Sequence, residues 1–242
     1  MLLREYAVAW TGEYRMRVFP SRRVEMEAIE DPGVAASFDR ISGMPQFTLL
    51  VRLFAFKALS GQRGGRAIDI GCGGGRLAIT LAKSQLFEEV VGLDLSKEML
   101  KLASQRAMDS GVGDVVRFKE GNAERIPFPD KSFDLAVSTL SLHHWSKPKV
   151  VFDEVARILA SHGKCVLGDM RRDPVPVFTG FLWLITHFIV PRSLRRAGEP
   201  LGSLQSAYTR EEASYLLSKS KLGSFCRVTA GPFWLLIKGR KK

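Results

Sequence analysis

The sequence predicts an α/β fold: a mostly parallel sheet of seven strands with helices on both faces. Three observations carry the prediction. Short apolar runs alternate with helical patterns from residue 66 onward, the first run opens into the turn Gly71-Cys72-Gly73-Gly74-Gly75, and the second run ends on Asp94. A strand, a glycine turn, a helix and a carboxylate at the next strand tip build a nucleotide-type cofactor site at the carboxyl edge of a parallel sheet.

Residues 66–70 read as the first buried strand and 76–84 as the helix leaving the glycine turn. Residues 90–94 form the second strand, and Ser96 supplies a hydroxyl to cap a helix running to about Ser110. Residues 115–119 make a third strand, and 133–138 a fourth, entered from the turn Pro127-Phe128-Pro129-Asp130. A helix over 147–160 carries Val150, Val151, Val155, Ile158 and Leu159 at helical spacing, and 163–169 form the fifth strand. Residues 210–220 read as helix, and 225–238, broken at Gly231-Pro232, as a closing pair of strands. Strands alternating with helices imply βαβ units. Ahead of them Phe47, Leu50, Val51, Phe54 and Leu59 recur at helical spacing before the hinge Gly61–Gly65, so residues 1–62 read as a helical cap on a domain of 63–242.

The 242 residues carry a net charge of +11, unevenly spread: +2 over 1–65 (9 basic, 7 acidic), zero over 66–169 (14 of each) and +9 over 170–242 (13 basic, 4 acidic). Such a field draws nucleic acid, anionic membrane or acidic substrates, whereas the plainer reading is a solvated face with the basic tail Lys238, Arg240, Lys241 and Lys242. Cys72, Cys165 and Cys226 lie far apart, which argues against a zinc site or disulfide framework and for a reducing compartment; no metal is expected. The polar start gives no signal peptide, and no apolar run reaches the roughly 20 residues that span a bilayer. A soluble, cytoplasmic protein is expected.

Gly71, Gly73 and Gly75 lack a Cβ, so the chain can turn sharply and approach a ligand closely. A dinucleotide fingerprint requires glycine at the sixth position from Gly71, where Arg76 stands, and this disfavours a pyrophosphate-bearing cofactor and NAD in particular. Asp94, about 20 residues beyond the glycines, is placed to accept hydrogen bonds from both hydroxyls of a ribose; the competing reading is an ordinary turn aspartate.

The series Asp69–Gly75, Val91-Gly92-Leu93-Asp94-Leu95-Ser96, Gly121–Asp130 and Phe133-Asp134 resembles the class I S-adenosylmethionine-dependent methyltransferases. Within them it is similar to the small-molecule branch that includes quinone and sterol C-methyltransferases. The resemblance covers about residues 60–170 and implies a Rossmann-like fold. It places Asp69 near the methionine ammonium, Gly71 and Gly73 along the methionine, Asp94 on the ribose, Leu95 against the adenine, and Asn122 with the Ala123 N–H at the adenine edge. Many relatives carry aspartate where Asn122 stands; an amide oxygen can still accept from the adenine amine. Cys72, Gly75, Met99, Glu124, Ser138 and Leu140 complete the expected cofactor set. The implied chemistry is in-line displacement, for which the protein mainly orients and desolvates.

For the acceptor side the loop Ser138–Trp145 supplies His144 and His143, either of which can serve as base or orienting donor; the alternative is that they fix the loop. His144 is the preferred catalytic residue. The tetrapeptide Asn/Asp-Pro-Pro-Tyr/Phe of many nucleic-acid and protein amine methyltransferases is absent, which argues against methylation of an exocyclic base amine. With the resemblance to the small-molecule branch, a small, apolar acceptor is expected and nucleic acid is not favoured. Residues 173–203 read as an insertion after the fifth strand with three readings open: a lid, a membrane-surface helix flanked by arginines, or core. Tyr14, Phe181, Trp183 and His187 are the candidate substrate contacts. The rival function is an RNA- or membrane-docking protein of this fold that uses the basic C-terminal third, with or without catalysis. The oligomeric state is left open.

Overall fold

Consecutive apolar residues in a strand mean that both faces are covered, because neighbouring side chains point to opposite sides. Ala67, Val90 and Val137 join one buried cluster, while their neighbours Ile68, Val91 and Ala136 join the other. In the computed structural model, which describes residues 29–174 and 201–242 with Arg22 and Gly180, these runs form one seven-stranded sheet. Its strands are β1 (Gly65–Ile70), β2 (Phe87–Asp94), β3 (Val116–Glu120), β4 (Phe133–Thr139), β5 (Leu159–Met170), β6 (Cys226–Ala230) and β7 (Trp234–Arg240).

The strand order is β3-β2-β1-β4-β5-β7-β6. The first five strands are parallel, and β7 pairs antiparallel with β5 and β6. Chain order reverses between β1 and β4, and the crevice outside the carboxyl ends at such a point is where sheets of this kind hold ligands.

The described helices are α1 (Pro32–Ser42), α2 (Pro45–Leu59), α3 (Arg76–Ala82), α4 (Lys97–Asp109), α5 (Pro148–Ile158), α6 (Leu201–Ser206) and α7 (Arg210–Ser218). Local chemistry starts several of them. The Asp31 carboxylate accepts the Val34 N–H, Ser96 Oγ accepts the Met99 N–H, and Thr209 with Glu212 forms a reciprocal capping box; each such cap is worth about 1 kcal/mol. On one face Val151, Phe152 and Val155 of α5 and Leu217 of α7 cover the sheet. On the other, Phe54, Ala55 and Ala58 of α2 pack with Leu77 and Leu81 of α3. The Phe54 ring lies so close to β5 that a Cβ on Gly168 would sit 2.5 Å from it, so glycine is required there for packing.

The structure lengthens the runs expected for β1, β2, β4 and β5 and shifts β3 by one residue. β5 starts at Leu159 rather than 163, because β4 pairs Phe133 with Leu159 and then Leu135 with Lys164, which leaves the intervening residues as a bulge with His162 at φ +64. Those residues are polar or small, so the apolar signal begins only after them. The expected 147–160 helix ends at Ile158 for the same reason. Among the described residues no helix is long and apolar enough to cross a membrane.

Replacing Phe54 by alanine is expected to lower the unfolding free energy by about 3 kcal/mol, read from the urea midpoint. Leu49→Ala on the exposed side of the same helix should change it by less than about 0.5 kcal/mol.

Candidate active site

The site is assembled at the carboxyl ends of β1 to β5. The turn after β1 uses glycine where the backbone enters the left-handed region: φ is +70 at Gly71, +50 at Gly73 and +74 at Gly75. The Gly71 and Cys72 N–H groups donate to the Leu93 carbonyl at 2.8 and 3.0 Å, which stitches the turn to the tip of β2. The next residue of β2, Asp94, accepts the Gly73 N–H at 2.7 Å and the Ser96 N–H at 2.9 Å. Burial raises the Asp94 pKa, and those backbone donors pull against it.

Three glycines have three different reasons. A Cβ on Gly71 would lie 2.0 Å from Ser141 Oγ, so glycine lets the loop after β4 close down. A Cβ on Gly75 would strike the Phe118 ring at 2.7 Å and Ala103 at 2.8 Å, so its absence lets β3 and α4 pack together. At Gly73 a Cβ would meet only Met99 Cε, at 3.4 Å. The space beside Gly73 belongs to the cleft.

From the expected cofactor set, Gly71, Gly73, Asp94, Leu95 and Met99 line that cleft. Asn122, Ala123, Glu124 and Leu140 line it from the other strand ends, and so does His144 of the expected catalytic pair. Asp69, Cys72, Gly75, Ser138 and His143 stand outside the lining. Tyr14, Phe181, Trp183 and His187 lie outside the described residues, as does nearly all of the insertion expected over 173–203. Ile29 and Trp145 line the cleft without having been in the expected set, and Phe38, an aromatic of the helical cap, lines it as well.

Behind the lining Asp69 is 1% exposed, with one oxygen accepting the Ala78 N–H at 3.2 Å. Its pKa is pushed up to about 7, by burial first and by the neighbouring Asp94 carboxylate as well, against the Ala78 N–H. Two carboxylates this close, poorly solvated, suit a cationic ligand group. Cys72 is a buried thiol raised well above its ordinary range by burial and by both aspartates, which makes it unreactive. Asn122 turns its amide oxygen onto the Glu124 N–H at 2.6 Å, so the acceptor expected for an adenine caps the short turn Ala123–Arg125, and its second lone pair is left for a ligand.

The opposite wall follows β4. Leu140 sits at φ +53, a strained conformation for a branched side chain, held by its N–H on the Gly168 carbonyl at 2.9 Å. Ser141 Oγ accepts the Trp145 indole N–H at 3.1 Å. Asp169, near the end of β5, accepts the His143 backbone N–H at 2.8 Å, and His143 Nδ1 lies 2.8 Å from its other oxygen. Both side chains are 2% exposed, and the carboxylate fixes Nδ1 as the protonated nitrogen. The His144 ring lies against that of His143, centroids 4.1 Å apart and planes tilted by 41°, and lines the cleft. Asp169 was missed from sequence, although its signal was the one used for Asp94: a carboxylate closing an apolar strand.

Segments remote in sequence close the rim. Asp39 of α1 meets Arg106 at 2.6 Å and Arg76 at 3.5 Å. Burial, then the neighbouring Arg106, lowers the Arg76 pKa. The residue that breaks the dinucleotide fingerprint therefore anchors α1 beside the glycine turn. Ser96 Oγ donates to the Ile29 carbonyl at 2.5 Å. Arg22 donates to the carbonyls of Ser206 at 2.6 Å and His143 at 2.8 Å, with its guanidinium over the Tyr208 ring.

Asp69 gives a pH dependence with a definite sign. Its folded pKa of about 7 exceeds the ordinary 3.8, so between those values the folded protein holds a proton that the unfolded chain releases. Stability of the ligand-free protein should fall as pH rises from about 4 to about 7 and level off above. Urea unfolding across that range should show the slope in the native protein and a flatter one in Asp69→Asn.

A family model described as a methyltransferase domain matches residues 68–167. Over 150 residues the chain is 35% identical to the uncharacterized methyltransferase YcgJ of Bacillus subtilis, covering 62% of this chain and 57% of that protein. The chain thus spans a little over half the length of YcgJ. It is 32% identical over 161 residues to demethylmenaquinone methyltransferase of Geobacillus kaustophilus, covering 65% of this chain and 68% of that protein. A solved chain from Methanococcus maripaludis, named for S-adenosyl-L-methionine-dependent methyl transfer, superposes with a TM-score of 0.68 at 25% identity, over 91% of this chain and 97% of that one. The match to the demethylmenaquinone enzyme runs through two thirds of that protein, and on that ground the chain belongs to the class I S-adenosylmethionine-dependent methyltransferase family, whose cofactor is S-adenosylmethionine.

Proposed function

We propose that this chain moves a methyl group from S-adenosylmethionine to a small, largely apolar acceptor by in-line displacement. One observation carries the reading: a carboxylate, Asp94, held by the Gly73 and Ser96 N–H groups, shares one cleft with His144. Bound there, S-adenosylmethionine supplies an electrophilic methyl group, so the residues need only bind, orient and exclude water.

In this reading Asp94 takes the ribose hydroxyls, Leu95 and Met99 flank the adenine, and Asn122, Ala123 and Glu124 meet its edge. Gly71 and Gly73 admit the methionine, whose ammonium is matched by the Asp69 carboxylate behind. His144 meets the acceptor and takes a proton when the accepting atom is a hydroxyl or thiol; His143, locked on Asp169, holds His144 in place. The name of the demethylmenaquinone relative supports an apolar ring as acceptor. The free, buried Cys72, Cys165 and Cys226 support a reducing, cytoplasmic setting, with peripheral membrane contact as part of the same proposal.

Calorimetric titration tests the reading. S-adenosylmethionine and S-adenosylhomocysteine should bind in the micromolar range and NAD should not; Asp94→Ala should weaken the sulfur ligands at least about tenfold. Tight NAD binding, or none by any of the three, overturns it. With an acceptor in hand, His144→Ala should lower kcat at least about a hundredfold and leave S-adenosylhomocysteine affinity unchanged.

A further inference from the structure

Helix α2 carries a second apolar stripe that the fold does not use. Its inner side buries Phe54, Ala55 and Ala58 on the sheet. On the outer side Leu49, Leu53 and Phe56 are 57%, 60% and 76% exposed. Spaced at i, i+4 and i+7, they form one continuous row. An isolated exposed leucine needs no explanation, but three large apolar side chains in a row do.

Along the chain from Arg40 to Gly65 the charge has one sign. Residues 40–65 contain Arg40, Arg52, Lys57 and Arg63 and no acidic residue. Arg52, Lys57 and Arg63 are exposed. The far end of the helix adds cations from other strands: Lys164 Nζ donates to the carbonyls of Lys57, Ala58 and Ser60 at 2.9, 2.8 and 2.7 Å, and Arg240 donates to that of Gly61 at 2.9 Å. Burial lowers the Lys164 pKa, and Arg240, Lys238 and Lys57 lower it further, as crowded positive charge does.

We propose that this outer face of α2 docks on an anionic lipid surface, with Leu49, Leu53 and Phe56 entering the headgroup boundary and the flanking cations meeting lipid phosphates. The charge selects this occupant over two others. A second copy would bring the same cations face to face. The chain's own residues 175–200 carry Arg192, Arg195 and Arg196 against the single acid Glu199, so they offer no complementary charge. Nucleic acid would satisfy the cations but leave the leucines in water. The inference deepens the peripheral membrane contact proposed above and stands apart from methyl transfer, since the face lies outside the cleft: a protein that binds S-adenosylhomocysteine but not vesicles fails this inference alone.

The test is flotation of the full chain with vesicles of phosphatidylcholine containing 30 mol% phosphatidylglycerol (~30%, an anionic surface of the kind that recruits basic segments), against pure phosphatidylcholine. Binding should require the anionic lipid and weaken at high salt. Leu53→Asp with Phe56→Asp should reduce partitioning at least about tenfold, and Lys57→Gln about fivefold, with S-adenosylhomocysteine binding and Tm unchanged. Should the aspartate pair unfold the protein, Leu53→Ser with Phe56→Ser replaces it. Three results overturn the proposal: no binding to anionic vesicles, equal binding by the variants, or a wild-type dimer in light scattering that the variants dissolve. Retention of RNA without retention on vesicles overturns it as well and assigns the face to nucleic acid.

Discussion

The tie between the glycine turn and the tip of β2 underlies the rest of the site. Two N–H groups of the turn close on the Leu93 carbonyl and a third on the Asp94 carboxylate. Strand tips in a parallel sheet end with unused backbone groups, and here the turn consumes them. The same contacts stop Asp94 from rotating, so a ligand meets a carboxylate already in place rather than one that must be ordered on binding. The chain must enter left-handed backbone at Gly71, Gly73 and Gly75 to reach those partners, which is why glycine recurs.

From that tie the opposite wall follows by close approach. Only because Gly71 has no Cβ can Ser141 descend onto the turn, and Ser141 in turn fixes the Trp145 indole. Between them runs the short turn Leu142–His144, whose His143 is locked to Asp169 of β5. A buried imidazole beside a buried carboxylate is stable only when paired, so the pair orders the loop whatever chemistry it also supports. His144, one residue on, is left facing the cleft. Asp69 shows the complementary case, a carboxylate left with one weak donor and a close carboxylate neighbour. Burial keeps it protonated up to about pH 7, and a cationic group brought beside it would favour the charged form.

The N-terminal part of the chain works on two surfaces. α1 reaches across the glycine turn and gives one carboxylate to two guanidiniums, Arg106 and Arg76. α2 covers the sheet with one side and leaves its other side apolar and cationic. Neither role follows from amphipathicity alone, since a single stripe of Phe47, Leu50, Val51, Phe54 and Leu59 already satisfies the helical pattern.

By itself the sequence determined the alternation of strands and helices, the order of the strands along the chain, the glycine turn and the carboxylate of Asp94. These are local: strand burial on both faces, helix capping by Ser96 and left-handed turn residues all act within a few positions. Tertiary structure alone decided that Arg76 would hold Asp39, that His143 would be withdrawn onto Asp169 while His144 stayed in the cleft, and that Gly75 would serve Phe118 and Ala103 rather than a ligand. It also decided the bulge at the start of β5. The physical reason is range: each of these depends on which groups, tens of residues apart, the sheet brings within contact distance, and no window along the chain contains both partners.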